Sequence, residues 1–161
     1  MIRTGIGFDA HRLVPGRRLV LGGVHIEHDY GLEGHSDADV LCHAIADALL
    51  GSVADGDIGT HFPDTDPKWK NASSLDLLSR VMGRLKERKA CVVNVDSTII
   101  AERPRLAPYR DAMRANIARV LEKQTKCISV KATTVEGLGP LGREQGIAVM
   151  AVATIEMADI I

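Results

Sequence analysis

The chain has 161 residues, of which 45% are hydrophobic and 25% charged, a composition typical of one soluble globular domain. Its 20 Lys and Arg nearly balance its 21 Asp and Glu, and it has only two Phe, two Tyr and one Trp, which disfavours a nucleic-acid partner. The three cysteines form no C-x-x-C pair and no stretch is apolar for the length of a membrane span, so we expect a reducing compartment and no membrane partner.

The first half of the chain alternates short apolar segments with turn residues. Residues 2–9 and 18–26 are predicted to be strands, and the second segment turns at its central Gly-Gly pair as a hairpin. A helix is predicted next, capped by Ser36 or Asp37 and continuing to about Leu50 along an apolar stripe. This order places a hairpin directly before the first long helix.

The second half mixes helical and strand patterns. Its predicted elements are a loop over 51–70, a helix over 74–89, a strand over 91–102, a helix over 108–123, a strand over 126–136 and a strand over 146–157. The last strand is almost continuously apolar, which is typical of a strand covered on both faces. Because no repeat or linker interrupts the pattern, the sequence predicts one α+β domain.

A carboxylate and two imidazoles form the most informative group of polar side chains. Asp9 and His11 are one residue apart in the first strand, so they point to the same face. Asp39, His43 and Asp47 share a face of the first helix, although such a stripe is also typical of a solvated surface. Two histidines and one acid suit zinc with one open position, which makes His43 the candidate third ligand. Asp47 could then orient the second ring nitrogen of His43.

The chain carries four further motifs in order: GFDAHRL, GLEGHSDADVLCHAIADALLG, DGDIGTHFPDTDP and VKATTVEGLG. Their combination resembles the 2-C-methyl-D-erythritol 2,4-cyclodiphosphate synthases, and the resemblance extends over nearly the whole chain. It implies a single domain over 1–161 of the α+β class. The implied architecture is a mixed four-stranded main sheet with helices on one face, a small hairpin, and sheets packed around a trimer axis.

The resemblance implies a phosphorus–oxygen lyase of non-mevalonate isoprenoid synthesis. The implied substrate is 4-diphosphocytidyl-2-C-methyl-D-erythritol 2-phosphate, whose 2-phosphate attacks the β-phosphate to form the cyclic diphosphate and release CMP. Zinc at Asp9, His11 and His43 would act as a Lewis acid, and Mg²⁺ or Mn²⁺ held by Glu136 would bridge the diphosphate. Because the nucleophile is already an anion, the site needs charge neutralisation and alignment rather than a strong base.

The family's substrate contacts transfer onto the matching positions of this chain, where each residue also has an ordinary reading as a cap, turn or loop residue. His35 and Ser36 would meet the 2-phosphate, close to a helix start that favours anions. The other implied substrate-binding residues are Asp9 and His11, Asp57 and Gly59 for the erythritol hydroxyls, Phe62, Pro63, Asp64, Thr65 and Asp66 as a mobile wall, Ala101, Pro104, Arg105, Leu106, Ala107, Ala132, Thr133 and Thr134 for the nucleotide, Glu136 at its metal, and Arg143 as an anion contact. The implied catalytic residues are His35, Thr134 and Glu136.

One motif points to a different ligand. The segment GLGPLG over 137–142 matches the G-x-G-x-x-G pattern of dinucleotide-binding proteins. That pattern requires a helix whose N-terminus holds a pyrophosphate, whereas Pro140 interrupts the segment and a strand pattern follows. We therefore predict no dinucleotide site.

Family members are homotrimers with active sites between subunits, and the resemblance implies the same assembly for this chain. Two alternatives stay open: a zinc-dependent phosphohydrolase, in which metal-bound water opens a phosphate ester, and a non-catalytic trimeric zinc-containing binding protein. Structural zinc usually takes four protein ligands, and only three are identified, which disfavours the second alternative. A bacterial cytoplasm is the expected location, and a processed plastid protein would have the same features.

Overall fold

The computed structural model describes residues 1–158, which form a five-stranded sheet, a two-stranded hairpin and five α-helices. The strands are β1 (Ile2–Pro15), β2 (Leu19–Leu21), β3 (Val24–Ile26), β4 (Tyr30–Leu32), β5 (Ala90–Ile100), β6 (Ile128–Thr133) and β7 (Gly146–Met157). The helices are α1 (Val40–Ser52), α2 (Ile58–His61), α3 (Ser74–Glu87), α4 (Arg110–Val120) and α5 (Gly139–Gly142), with short 3₁₀ turns at Pro67–Trp69, Ala107–Tyr109 and Thr125–Cys127.

The main sheet has the strand order β4-β1-β7-β5-β6, and its neighbours are antiparallel except for the parallel pair β5 and β6. The α+β class, the mixed sheet and the hairpin β2–β3 are therefore confirmed. A fifth strand, β4, adds to the four predicted. It pairs with Leu13–Pro15 because β1 continues beyond its predicted end and offers β4 a free edge.

Helix α1 packs directly on β1, and two glycines make this approach possible. A β-carbon at Gly5 would lie 2.0 Å from the carbonyl oxygen of Ala48, and one at Gly7 would lie 1.9 Å from that of Ala44. No other residue fits at these contacts, so glycine fixes the height of α1 above the strand. The same contact sets the distance between the His43 side chain of α1 and the side chains of Asp9 and His11 in β1.

The opposite face of the sheet is apolar and exposed. Ile6 and Phe8 of β1 are 65% and 59% exposed, and Met150 and Val152 of β7 are 46% and 43% exposed. Register places Phe8 beside Met150 and Ile6 beside Val152, so the four side chains form one patch, called here the apolar sheet face. The helices cover the other side of the sheet, as predicted. Isolated exposed apolar residues are ordinary, but a contiguous group of this kind marks an interaction surface.

The first helix begins later than predicted. Asp39, rather than Ser36 or Asp37, is the N-cap, and its carboxylate accepts the backbone N–H of Cys42. The same carboxylate accepts the N–H groups of Gly22 and Gly23 at 2.9 and 2.7 Å, which attaches the hairpin to the start of α1. Asp39 is fully buried in this contact with the hairpin, whereas the next polar residue of the predicted stripe, His43, contacts Asp9, so the two do not form one solvated polar face.

Other boundaries differ modestly from the predictions. The predicted loop over 51–70 contains α2 and a 3₁₀ turn, and the predicted helix over 108–123 is a 3₁₀ turn followed by the shorter α4. The 137–142 segment contains only the single-turn helix α5, and strand β7 follows it from Gly146. The long helix that a dinucleotide site needs is therefore not formed at this segment. Within residues 1–158, none of the helices is long and apolar enough to cross a membrane.

Candidate metal and substrate site

Three predicted ligands converge where β1 passes under α1. Oδ2 of Asp9 lies 2.9 Å from Nε2 of His11 and 3.0 Å from Nδ1 of His43, and the two ring nitrogens are 3.3 Å apart. Strand alternation puts Asp9 and His11 on the face covered by α1, and the close contact of the helix brings His43 to them. The predicted ligand set is therefore assembled, and the three residues form the one potential metal-binding group found within residues 1–158.

The second ring nitrogen of His43 is held by two serine hydroxyls. Its Nε2 lies 2.9 Å from Oγ of Ser74 and 3.2 Å from Oγ of Ser36. The Ser74 hydroxyl donates its one proton to the carboxylate of Asp37, so it must accept the bond from His43. His43 consequently carries its proton on Nε2, and the lone pair on Nδ1 faces the other two ligands.

His11 presents its lone pair in the same way. Its Nδ1–H donates to the carbonyl of Glu33 at 2.5 Å, which leaves Nε2 directed at Asp9. In these tautomers a carboxylate oxygen and two imidazole lone pairs face one another with no proton between them, which is a donor set for a divalent metal ion. Their 2.9–3.3 Å spacing is close to the edge of about 3.4 Å that tetrahedral ligands make around zinc. These residues fit a divalent cation.

The titration behaviour of the group agrees with this reading. Burial would raise the pKa of Asp9, but hydrogen bonds with His11 and His43 outweigh burial and hold this pKa well below its usual range. Burial lowers the pKa of His11, while the bonds to Asp9 and to the Glu33 carbonyl raise it above its usual value. Both shifts arise when a proton stands between the Asp9 carboxylate and the facing ring nitrogens, and a divalent cation bound there would take the place of that proton.

The proposed role of Asp47 is wrong. Its Oδ1 accepts the backbone N–H of Ile58 at 2.7 Å, so it anchors the start of α2 rather than orienting His43. Ser36 and Ser74 take that place because the turn before α1 and the start of α3 lie closer to the ring than the next turn of α1. Asp47 still lines the pocket beside the three ligands.

The three ligands lie in the wall of an open pocket of about 430 Å³. Its lining brings together many of the predicted substrate residues: Asp9, His11, His35, Ser36, Gly59, Phe62, Pro63 and Asp64. Asp57, Thr65 and Asp66 belong to the same loop but lie outside the lining. The carboxylate of Asp57 accepts from Thr60 and caps α2, and that of Asp66 accepts from Lys68, so both stabilise the loop locally.

The sequence reasoning missed an aromatic part of this pocket. Trp69 lines it, and its ring packs edge-to-face on Phe62 with centroids 5.0 Å apart. Lys68 and Arg80 lie over the Trp69 ring, 4.6 and 5.2 Å from its centroid. Trp69 could have been found in the sequence as an aromatic residue in an otherwise polar loop. Its ring gives the pocket an apolar wall, and the two cations lie on the ring.

A second pocket, of about 440 Å³, assembles the predicted nucleotide residues. It is lined by Ala101, Glu102, Pro104, Arg105, Leu106, Ala107, Ala132, Thr133 and Thr134, of which only Glu102 was not predicted. We call the pocket that contains Asp9, His11 and His43 the metal pocket and the second one the nucleotide pocket. In the described part of the chain the two pockets share no lining residue. Glu136 and Arg143 line neither of these two pockets, and both are exposed on the segment after β6.

The contact between Ser74 and His43 should contribute to the affinity of the site for zinc. Replacing Ser74 with alanine removes the hydroxyl that fixes the proton of His43 on Nε2, so we expect zinc to bind about 10- to 100-fold more weakly. Competition with a zinc chelator measures the affinity directly. Ser73→Ala is the matched control, since the Ser73 side chain makes no capping bond at the start of α3. Equal zinc affinity in the two variants would contradict the assigned role of Ser74.

Comparisons with known proteins agree with this arrangement. The model of the YgbB family matches residues 2–156. The 2-C-methyl-D-erythritol 2,4-cyclodiphosphate synthase of Salinibacter ruber is 57% identical over 98% of this chain and 100% of its own length. A solved structure of such a synthase in its CDP-bound form is 35% identical, with a TM-score of 0.88 over 96% of this chain and 100% of that one. The bifunctional IspDF of Campylobacter jejuni is 43% identical, with a TM-score of 0.95 over 99% of this chain and 43% of that one.

The match extends along the length of the chain and includes the segments that carry both pockets. The metal ligands, the loop over the metal pocket and the residues of the second pocket all lie within residues 2–156. The chain therefore belongs to the YgbB family, whose named relatives are 2-C-methyl-D-erythritol 2,4-cyclodiphosphate synthases.

Proposed function

We propose that residues 1–161 form one cyclodiphosphate synthase domain that acts as a phosphorus–oxygen lyase. The reaction converts 4-diphosphocytidyl-2-C-methyl-D-erythritol 2-phosphate to 2-C-methyl-D-erythritol 2,4-cyclodiphosphate and CMP. The observation that carries the proposal is the meeting of three cation-binding lone pairs, from Asp9, His11 and His43, in the wall of an open pocket. A diphosphate is the substrate group that gains most from such a site, because its repelling charges must be neutralised and aligned.

The other residues around the metal pocket bind and orient the substrate. The Nε2–H of His35 donates to the carbonyl of Asp66 at 3.2 Å, so His35 contacts the 2-phosphate with Nδ1, and the backbone N–H groups near Ser36 add to the attraction of an anion. The Ser36 hydroxyl itself contacts His43, so it acts on the ligand ring as well. Gly59 leaves room for the erythritol hydroxyls, and the Phe62–Trp69 pair gives the carbon skeleton an apolar surface that excludes water.

The proposed cations are zinc at Asp9, His11 and His43, and Mg²⁺ or Mn²⁺ at Glu136. When bound, they supply Lewis-acid charge neutralisation to the diphosphate. Glu136 suits a hard, largely hydrated cation because its carboxylate is exposed and has no protein partner within residues 1–158. The chain then has no need of a strong base, since the attacking phosphate is already ionised.

The second pocket suits the cytidine half of the substrate. Thr133 and Thr134 offer hydroxyls to the phosphates, and the turn around Pro104 and Arg105 offers backbone groups to a base. The CDP in a relative of the same fold supports a cytidine ligand for this family. Arg143, exposed after α5, is proposed as a further anion contact.

We propose that the two pockets meet across the subunit contacts of a homotrimer. Within one chain they share no lining residue, although a single substrate must reach both. The apolar sheet face supports this assembly, because a patch containing Phe8 and Met150 is exposed in one copy and would be buried between copies.

A product assay tests the proposed function. The purified chain, supplied with zinc and Mg²⁺, is incubated with the cytidine diphosphate substrate and its products are separated by phosphorus NMR. We expect CMP together with a cyclic diphosphate. An open-chain phosphate in place of the cyclic product would identify a zinc phosphohydrolase, and no turnover despite bound zinc would support a binding protein; either result would contradict the proposal.

A further inference from the structure

A tight turn follows β6 and carries Glu136, and one acidic side chain from a different element holds it. Oε1 of Glu102, in the segment after β5, accepts the backbone N–H of Val135 at 2.9 Å and of Gly137 at 3.4 Å. Two N–H groups that flank Glu136 therefore converge on one carboxylate oxygen. Such a concave pair of backbone donors binds anions, and here the anion is supplied by the chain itself.

The turn needs this support because its backbone is unfavourable for the residue that occupies it. The N–H of Leu138 donates to the carbonyl of Val135 at 3.0 Å, which closes a four-residue turn. Both central residues have positive φ, 52° at Glu136 and 78° at Gly137. Glycine adopts this conformation readily, but a glutamate there is strained and persists only if its surroundings hold it.

A second contact, with α5, also restrains the turn. Helix α5 lies so close that a β-carbon at Gly142 would come within 2.0 Å of the carbonyl carbon of Gly137. The turn is thus restrained by two contacts, one with α5 and one with the Glu102 carboxylate. With the backbone restrained in this way, the Glu136 side chain starts from one position close to Thr134 of the nucleotide pocket, whose hydroxyl accepts the Glu136 backbone N–H at 3.4 Å.

We infer that Glu102 is a positioning residue, which clamps the 135–138 turn so that Glu136 is presented in one conformation to a divalent cation. The inference rests on the proposed metal role of Glu136. It assigns Glu102 a backbone-holding role, although Glu102 lines the nucleotide pocket. Since a neutral amide oxygen can accept the same two bonds, glutamine at this position should preserve most of the clamp.

Hydrogen exchange of the intact protein tests the clamp without reference to activity. In Glu102→Ala we expect the peptide containing Val135 and Gly137 to exchange on the order of tenfold faster than in the unsubstituted chain. In Glu102→Gln the exchange rate should stay within about threefold. Glu87→Ala, an exposed acid at the end of α3, is the matched control and should leave this peptide unchanged.

Metal activation tests the consequence for Glu136. In Glu102→Ala the Mg²⁺ concentration for half-maximal CMP release should rise on the order of tenfold, while the rate at saturating Mg²⁺ approaches the original value. Glu102→Gln should restore the original Mg²⁺ dependence. Zinc content and oligomer size are measured in parallel and should not change.

The outcomes separate this inference from the function on which it rests. Unchanged exchange in Glu102→Ala would overturn the clamp, and so would an equal loss of activity in the alanine and glutamine variants at saturating Mg²⁺, which would mean that the carboxylate contacts ligand itself. Full activity in Glu136→Ala would instead contradict the proposed role of Glu136, and the exchange experiment would still decide whether Glu102 holds the turn.

Discussion

We expect His43→Ala to lose bound zinc and to release CMP about a thousandfold more slowly, or slower still, because several kcal/mol of charge stabilisation disappear with the cation. The lone pair on Nδ1 of His43 completes the ligand group, and the two bonds from Ser36 and Ser74 hold the ring in that orientation, so alanine removes one of three ligands. Metal analysis of the purified protein and a single-turnover assay measure the two losses.

The control separates loss of the site from loss of the fold. His25→Ala removes an exposed histidine of β3 and should retain zinc and activity. In His43→Ala, circular dichroism and the oligomer size should stay as in the unsubstituted chain, since α1 is held in the core by its many buried apolar side chains, among them Leu41, Ile45 and Leu49. Substantial turnover in folded, zinc-free His43→Ala would show that the metal group is not the catalytic centre.

Mixed assemblies of two inactive variants are expected to regain activity. His43→Ala disables the metal pocket and Glu136→Ala disables the turn beside the nucleotide pocket, each leaving the other half intact. If a site combines the metal pocket of one subunit with the nucleotide pocket of the next, a random equal mixture should contain both intact halves in about one quarter of its sites. The measurement is CMP release after the two chains are co-expressed and the hetero-oligomers are verified by mass.

Each variant alone, taken through the same procedure, gives the baseline of that experiment. Recovery far above the baseline requires that the two halves come from different chains, because no single chain in the mixture carries both. Hetero-oligomers as inactive as their parents would place both halves of each site within one chain and would contradict the proposed arrangement across a subunit interface.

The fold could be predicted where local pattern decides it. A short apolar segment predicted the first part of β1, the Gly-Gly pair predicted the hairpin, and helical periodicity predicted α1 and α3 close to their observed bounds. The edge strand β4 was missed because three residues carry too little periodicity, and it is a strand only because β1 extends far enough to pair with it. The cap of α1 was misplaced for a similar reason, since Asp39 caps α1 while also binding Gly22 and Gly23 of the hairpin.

The residues of the candidate site also fall into two groups: those that spacing and motifs predicted, and those that only tertiary packing brings together. The residue types and their spacing identified Asp9, His11 and His43, and the motifs identified the two groups of residues that line the pockets. The partner of His43 was assigned wrongly to Asp47, because helical spacing describes neighbours within one helix. The actual partner, Ser74, lies 31 positions away and arrives only with the packing of α3.

The sequence by itself determined the α+β class, the metal-ligand types and the family resemblance, because each of these depends on residues that are close in the chain or on motifs that can be read directly. Only the tertiary structure decided which hydroxyl fixes the proton of His43, which carboxylate holds the turn of Glu136, and that the two pockets are separate within one chain. These contacts join remote segments, whose distances follow from the packing of helices on the sheet and from no local pattern of residues.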